Sequence, residues 1–326
     1  MINMNTVNVL LVQSGITFYY PSLENSIYNA LKDIVQTVTM VSSKEAIKTA
    51  IKTKPDFIPV LHGLHPDFNK IIPMLKNYGY TTGIWLTDDP YYSDLTQHIV
   101  PQYDYVFTQD SGIIDFYYKL GCDKVFYVPL ASDPSIYKPT HNNVSYSYDI
   151  TFLGTAFENR LSFIDSIADY LKQKNTYIVG YGWEKLKHYE LLKDKIKLKP
   201  LGTYEESLQY YRSTKVNINM HRTTQDQTLN CNSLQIEAHS INNRTFEIAN
   251  SCAFQLTDIR YNLTKHYTLG SEIETFHSPS EFIEKSEYYL AHEKARVQIA
   301  TNAYKRTLRE HTYNHRIRQL LNNIKI

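Results

Sequence analysis

Short runs that are apolar at every position alternate along the chain with stretches in which apolar residues recur every three or four places. The first pattern is what a parallel strand buried on both faces requires. The second is one face of a helix. In the first half the pattern predicts strands over 7–13, 37–41, 57–61, 82–86, 105–108 and 125–128. Helices are predicted after Pro21, with Ser22 as N-cap, and over 43–53, 67–77 and 111–120, the last closed by Gly121. Residues 131–148 break the rhythm with Pro134, Pro139 and the polar run Thr140-His-Asn-Asn143, as a linker would. The alternation then resumes, with strands over 149–153, 177–180, 195–201, 216–219 and 253–257. Helices are expected over 160–174, 204–213, 245–250, 279–291, 293–310 and 313–323.

Strands alternating with helices mean doubly wound parallel sheets joined by right-handed crossovers. The expected fold class is therefore α/β, with two Rossmann-like domains. An N-terminal domain over 1–130 and a linker over 131–148 precede a C-terminal domain over 149–310. A last helix over 311–326 packs back on the first domain. Ligands of such folds sit beyond the carboxyl ends of the strands, and the cleft between the halves is the expected site.

Composition narrows the partners. Thirty-four basic against thirty-three acidic residues leave a formal charge of +1, no general reason to sit on nucleic acid or an anionic membrane. The first apolar run, 9–12, is too short for a membrane span or signal core, and three scattered cysteines form no C-x-x-C pair. These features point to a cytoplasmic protein without a disulfide framework or structural zinc. Tyr, at 28 residues, is in excess. Such rings suit sugar and nucleotide surfaces as well as strand packing.

The chemistry should lie in the turns at the strand exits. Gly154, followed by Arg160, opens a helix where backbone N–H groups can meet a phosphate, and it reads equally as a tight turn with a solvated Arg. Gly180-Tyr181-Gly182-Trp183 has two glycines of a dinucleotide fingerprint but Lys185 at the third position; a tight turn with a packed Trp is the other reading. Gly202 and Tyr204 begin the next helix. Asn219 and His221 leave another strand, and the polar stretch 222–241 beyond them is long enough to be a mobile substrate-contacting loop. Asn243 can cap a helix that carries Arg244, Thr245 and Glu247 in its first turns. That places an Arg fork and free N–H groups where a diphosphate would sit, with Glu247 within reach of ribose hydroxyls. The alternative is a capped helix with an internal Arg–Glu pair. In the first half, Asp88 and Asp89 before Pro90 are suited to orienting or deprotonating an acceptor hydroxyl, or to turn formation. No D-x-D triplet, G-x-S-x-G motif or Walker A loop occurs, so no metal site is expected.

The second half resembles the C-terminal domain of the CgeB-like spore-maturation glycosyltransferases. The resemblance rests on Tyr148-Asp-Ile-Thr-Phe-Leu-Gly154 with Arg160, on Gly180-Tyr-Gly-Trp183, on Asn243-Arg-Thr-Phe-Glu-Ile-Ala249 and on Cys252-Ala-Phe-Gln-Leu-Thr-Asp258. The first half is similar to that family through Trp85-Leu-Thr-Asp-Asp-Pro90 and Val106-Phe-Thr-Gln-Asp110. The resemblance implies a GT-B fold, two facing Rossmann domains, in which the C-terminal one holds a nucleoside diphosphate sugar. UDP is the expected nucleotide. Gly202 and Tyr204 would then read the base, Arg160 and Arg244 face the diphosphate, and Glu247 hold the ribose. The acceptor, a carbohydrate or glycoprotein, would meet Ser14, Gly15, Asp88 and Asp89. Related transferases often carry a Glu eight residues before the ribose Glu, where this chain has His239; His221 or Asn219 would take over the donor-sugar contacts.

The expected function is sugar transfer to an acceptor hydroxyl, retaining and metal-independent, in a bacterial cytoplasm and associated with the spore surface; inverting transfer, with Asp88, Asp89 or a histidine as base, is the open alternative for the mechanism. The nucleotide sugar is a co-substrate, and no cofactor is expected. A non-catalytic sugar- or nucleotide-binding spore-surface protein is the alternative.

Overall fold

The computed structural model describes residues 3–17, 20–139, 146–200, 203–226 and 228–325. The chain divides into two compact units. The first comprises Met1–Leu130, Asn230–Ser240 and Tyr313–Ile326; the second comprises Ala131–Leu229 and Ile241–Thr312.

In the first unit the elements run β1 (Asn8–Val12), α1 (Tyr20–Lys32), β2 (Thr37–Val41), α2 (Ala46–Thr53), β3 (Ile58–Leu61), α3 (Phe68–Asn77), β4 (Thr82–Leu86), α4 (Ser93–Thr96), β5 (Tyr105–Thr108), α5 (Ile114–Lys119) and β6 (Val125–Tyr127). Among the described residues the six strands form one parallel sheet in the order β2-β1-β3-β4-β5-β6. The uninterrupted apolar runs have the expected cause. Leu10, Val12, Ile58, Val60, Ile84 and Val106 are sealed between helix layers. One boundary differs from the sequence reading. α1 already includes Tyr20, so Ser22 lies inside the helix, because Pro21 in the first turn needs no N–H partner and does not delay the start.

The second unit contains β7 (Tyr148–Leu153), α6 (Glu158–Ser166), α7 (Ala168–Gln173), β8 (Thr176–Val179), α8 (Tyr189–Leu192), β9 (Ile196–Lys197), α9 (Tyr204–Arg212), β10 (Thr214–Asn219), α10 (Asn243–Asn250), β11 (Gln255–Asp258), α11 (Leu263–His266), β12 (Glu274–Phe276), α12 (Pro279–Ala291) and α13 (Glu293–Glu310). Its described strands form a parallel sheet in the order β12-β11-β10-β7-β8-β9. Here the helix expected over 160–174 is two helices that meet at Ile167, and β12 is a strand that periodicity did not reveal, being only three residues long.

α14 (Tyr313–Asn322) returns to the first unit. α14 lies against α1, and its Ile317, Leu320 and Leu321 share the lining of a small apolar cavity with Leu11, Ile27 and Phe57. Arg316 Nε donates to the carbonyls of Pro129 (3.0 Å) and Leu130 (3.1 Å), and Gln319 Nε2 to that of Tyr127 (2.8 Å).

The stretch expected as a mobile loop inside the second domain is divided instead, and its later part, Asn230–Ser240, is built into the first unit. Two carboxylates hold it. Asp94 accepts the Ser233 N–H and hydroxyl (2.8–3.0 Å), and Asp110 accepts the N–H groups of Gly112 (2.8 Å), His239 (3.0 Å) and Ser240 (2.9 Å). Gly112 lets the segment approach: a Cβ there would stand 2.1 Å from the Glu237 carbonyl oxygen. Asp110→Ala would leave three N–H groups without their acceptor. We expect a stability loss of about 2–3 kcal/mol and faster amide deuterium exchange at His239 and Ser240. Unaltered exchange there would mean that the segment is held by other contacts.

Candidate functional site

In the second sheet the chain direction through the order reverses between β7 and β10, the place where an open α/β sheet leaves room beyond its carboxyl ends. Gly154 follows β7. Its φ of +143° suits glycine, and the space of its missing side chain is flanked by two guanidinium groups. A Cβ there would lie 3.0 Å from Arg160 Nη1 and 3.2 and 3.3 Å from the two terminal nitrogens of Arg244. Arg160 is buried and donates to the carbonyls of Thr155 (2.9 Å) and Met220 (2.5 Å), with its guanidinium 4.7 Å from the Phe157 ring centroid. It thereby ties the turn after β7 to the turn after β10. Arg244, half-buried, is the second residue of α10.

The N-cap of α10 is Asn242 and not Asn243: Asn242 Oδ1 accepts the Thr245 N–H at 2.9 Å. Asn243 instead donates to Glu247 Oε1 at 2.7 Å. Two further expected donor contacts have internal duties. Asn219 Nδ2 donates to Thr245 Oγ1 (2.9 Å) and Gln255 Oε1 (3.0 Å), while its Oδ1 accepts from Asn242 (2.9 Å). Asn219 and Thr245 are sealed, so both serve as a brace that fixes the N-terminus of α10. Glu247 is buried as well, and Tyr211 donates to its Oε2 at 3.3 Å. Burial pushes its carboxyl up to about 7 against the opposing charge of Arg244.

Trp183, expected on the donor side, is also sealed; its indole N–H donates to the Gly154 carbonyl at 2.8 Å and supports that turn from within the core. Gly180 permits the contact, since a Cβ on it would stand 1.9 Å from the same oxygen. Tyr181 is exposed, and Tyr204 packs its ring 5.5 Å from that of Tyr137. Gly202 lies outside the described residues.

At the exit of β10, His221 is buried. Its Nδ1 lies 2.5 Å from Asp258 Oδ1, which also accepts the His221 backbone N–H at 2.9 Å. With the Nδ1 proton directed at the carboxylate, Nε2 presents a lone pair, and that atom is buried without a hydrogen-bond partner. Burial lowers the His221 pKa despite the Asp258 charge, which keeps the ring neutral at pH 7. The sequence reading gave Asp258 no role. The signal was a carboxylate leaving β11, the strand whose Thr257 pairs in register with Asn219.

In the first sheet the reversal falls between β1 and β3. Ser14, expected to meet the acceptor, is buried, and both its N–H and hydroxyl donate to Glu24 Oε1 at 2.7 Å. It shapes the turn, while the Gly15 backbone is exposed. Asp88 and Asp89, in the turn that follows β4, point to different surroundings. Asp88 is over a third exposed, accepts the Tyr20 hydroxyl proton, and lies 3.5 Å from His62 Nδ1. Tyr20 oxygen is in turn 2.9 Å from His62 Nδ1. Because that hydroxyl has one proton and gives it to Asp88, His62 donates from Nδ1 in a relay His62–Tyr20–Asp88. Periodicity marked neither Tyr20 nor His62 as a partner of Asp88, since they lie 68 and 26 residues away in sequence.

Asp89 is sealed and takes hydrogen bonds from Thr108 Oγ1 (2.7 Å) and Tyr117 Oη (2.8 Å), an internal role that leaves it unable to meet an acceptor. Burial pushes its carboxyl up to about 7. Asp89 and Glu247 thus both bind their protons more tightly in the folded chain than in the unfolded one. Their contribution to stability is complete below about pH 4 and is lost as pH rises to about 7. We expect the Tm to fall between pH 5 and pH 8 and Asp89→Asn to flatten that slope. A Tm slope identical in the variant would contradict the assignment to Asp89.

Residues 160–322 match the model of the glycosyl transferase-like family. The chain belongs to that family. Spore protein CgeB of Bacillus subtilis (strain 168) is 26% identical over 314 residues, 94% of this chain and 96% of that protein. The structure is similar to sucrose-phosphate synthase (tll1590) from Thermosynechococcus elongatus, with a TM-score of 0.66 at 10% identity over 97% of this chain and 98% of that one. It is likewise similar to Anabaena Alr3699/HepE, solved in complex with UDP and glucose, with a TM-score of 0.63 at 10% identity over 98% of this chain and 100% of that one. The fold of this glycosyltransferase-family chain is therefore GT-B. Among its described residues no helix is long and apolar enough to cross a membrane.

Proposed function

We propose that the protein transfers a sugar from a UDP-sugar to an acceptor hydroxyl, with retention at the anomeric carbon and without a metal ion. The acceptor is a carbohydrate or glycoprotein of a spore surface, a reading that rests on the similarity to CgeB. The observation that carries the proposal is the pair of guanidinium groups of Arg160 and Arg244 over Gly154, beside the first turn of α10. When the bond from sugar to diphosphate breaks, negative charge grows on the diphosphate. Fixed cations and helix N–H groups stabilise it without reorganising.

In this reading Arg244 contacts the diphosphate directly, Arg160 holds the turns on either side of it, and Glu247 faces the ribose. Tyr181 and Tyr204 face the base. His221 Nε2 accepts a hydroxyl of the donor sugar, oriented by Asp258. The departing diphosphate takes the acceptor proton, so no protein base is required, and Asp88 in the first unit, held by Tyr20, is suited to accept a hydrogen bond from a carbohydrate hydroxyl. The UDP bound in Alr3699/HepE, which shares this fold, supports the choice of nucleotide.

Calorimetric titration with UDP, GDP, dTDP and ADP tests the reading. Preferential binding of UDP is expected. The sugar released by slow hydrolysis of UDP-sugars, followed by proton NMR, should first appear as the anomer of the donor, and EDTA should leave its rate unchanged. Binding of none of the four nucleotides would overturn the proposal and favour a non-catalytic role.

A further inference from the structure

A pocket lies at the amino end of the second unit's sheet. It has a volume of about 140 Å³ and opens at the amino ends of β10 and β11, among Thr214, Ala253 and Phe254. β10 is six residues long, which puts about 20 Å between this end and the turn that carries His221. The pocket is therefore separate from the arginines at Gly154.

Its walls combine two kinds of surface. Tyr146, Tyr211, Phe254 and Ala300 make it aromatic and aliphatic, while Arg212, Lys215 and Arg296 line it with cations and, among the described residues, no lining side chain is acidic. Lys215 is neutralised by Asp149 at 2.7 Å. The two arginines are not matched in that way. Arg296 is only 3% exposed, lies 5.0 Å from the Tyr146 ring centroid and gives Nη1 to the Tyr289 carbonyl; its nearest carboxylate, on the exposed Glu293, is 3.9 Å away. Arg212 donates Nη2 to the Lys138 carbonyl, and its Nε is buried with no hydrogen-bond partner. Guanidinium groups held against apolar walls without a close carboxylate are poorly compensated, and an anion that enters supplies the missing partner.

We infer that this pocket binds a small aromatic carboxylate, with its ring against Tyr211 and Phe254 and its carboxylate on Arg212 and Arg296. Size and shape favour this class. A cavity of roughly 150 Å³ accepts a benzene ring, and a guanidinium fork matches a carboxylate. Inorganic phosphate would satisfy the cations but leave the aromatic walls unfilled. Tyr211 also reaches Glu247, at 3.3 Å, so an occupant that presses on this ring alters UDP affinity. That consequence rests on the nucleotide reading above, whereas the binding itself does not.

The test is calorimetry on the full chain with benzoate, against benzyl alcohol and inorganic phosphate as probes that each lack one half of the match. Benzoate is expected to bind at one site. Benzyl alcohol and phosphate should bind at least tenfold more weakly. Arg212→Gln should weaken benzoate at least tenfold. Val297→Trp, at an exposed rim position, should block the pocket without disturbing a buried group. Absence of saturable benzoate binding, phosphate binding tighter than benzoate, or benzoate affinity unaltered in both variants would overturn the proposal. A UDP titration with and without saturating benzoate then reads the coupling, expected as a shift of at least threefold. No shift in a protein that binds UDP overturns the coupling, whereas no UDP binding in the absence of benzoate is a failure of the nucleotide reading.

Discussion

Arg244→Ala is expected to weaken UDP binding by roughly 30- to 1000-fold, equivalent to about 2–4 kcal/mol, the range for truncating one partner of a buried charge pair. The effect should be larger for UDP than for uridine, because in the proposed binding mode the guanidinium meets the diphosphate and not the base. Arg244→Lys keeps the charge but loses the two-pronged geometry, so it should recover only part of the affinity. The fold should tolerate both changes, since Asn242, Asn219 and Gln255 brace the start of α10. Arg244 stands half-buried at the helix start, and its terminal nitrogens are 3.2 and 3.3 Å from the side-chain position that Gly154 leaves empty. Equal UDP affinity in wild type and Arg244→Ala would move the diphosphate elsewhere and remove the main support for the proposed function.

His221→Ala should act on turnover and hardly on nucleotide binding. A contact to the donor sugar that strengthens as the glycosidic bond breaks is expected to be worth about 10²–10³ in kcat, with the Kd for UDP within a factor of about three. Asp258→Asn is the informative companion. It leaves the position and size of the group intact but removes the charge that holds the Nδ1 proton, so kcat should fall while UDP affinity again stays constant. The pH profile supplies a further reading. Burial lowers the His221 pKa, so the neutral ring that accepts a hydrogen bond at Nε2 persists below the ordinary histidine value of 6.5. The acid limb of kcat assigned to this residue should therefore lie below 6.5, and it should disappear in His221→Gln. Loss of UDP binding in His221→Ala, with unchanged kcat at saturation, would place the residue at the nucleotide instead of the sugar.

The different fates of Asp88 and Asp89 bear on how such sites are read. The two carboxylates are equivalent in sequence, adjacent and followed by a proline. In the fold one reaches Tyr20 and His62 and remains partly exposed, while the other is sealed under Thr108 and Tyr117. Both lie in the turn after β4, and only the elements packed around that turn decide which carboxylate keeps access to water. Ser14, Asn219, Thr245 and Trp183 follow the same logic: each is at a strand exit or helix start suited to a ligand, and each is already engaged by another residue of its own unit, namely Glu24, Thr245, Asn219 and the Gly154 carbonyl.

Local sequence determined what local physics controls. Runs of residues apolar at every position demanded parallel strands buried on both faces, and their alternation with amphipathic stretches required two doubly wound sheets. Gly154 and the Asn-Arg-Thr-Phe-Glu segment were legible as a tight turn and a helix start because backbone freedom and helix ends are properties of a few consecutive residues. The tertiary structure decided the rest. It assigned the cap of α10 to Asn242 through a network that includes Asn219 and Gln255. It moved Asn230–Ser240 out of the second unit and onto carboxylates of the first, joined His221 to Asp258, and set Tyr20 between His62 and Asp88. Each of these depends on which distant groups the packing brings within hydrogen-bond distance and removes from water, and neither proximity nor burial is encoded in the spacing of residues along the chain.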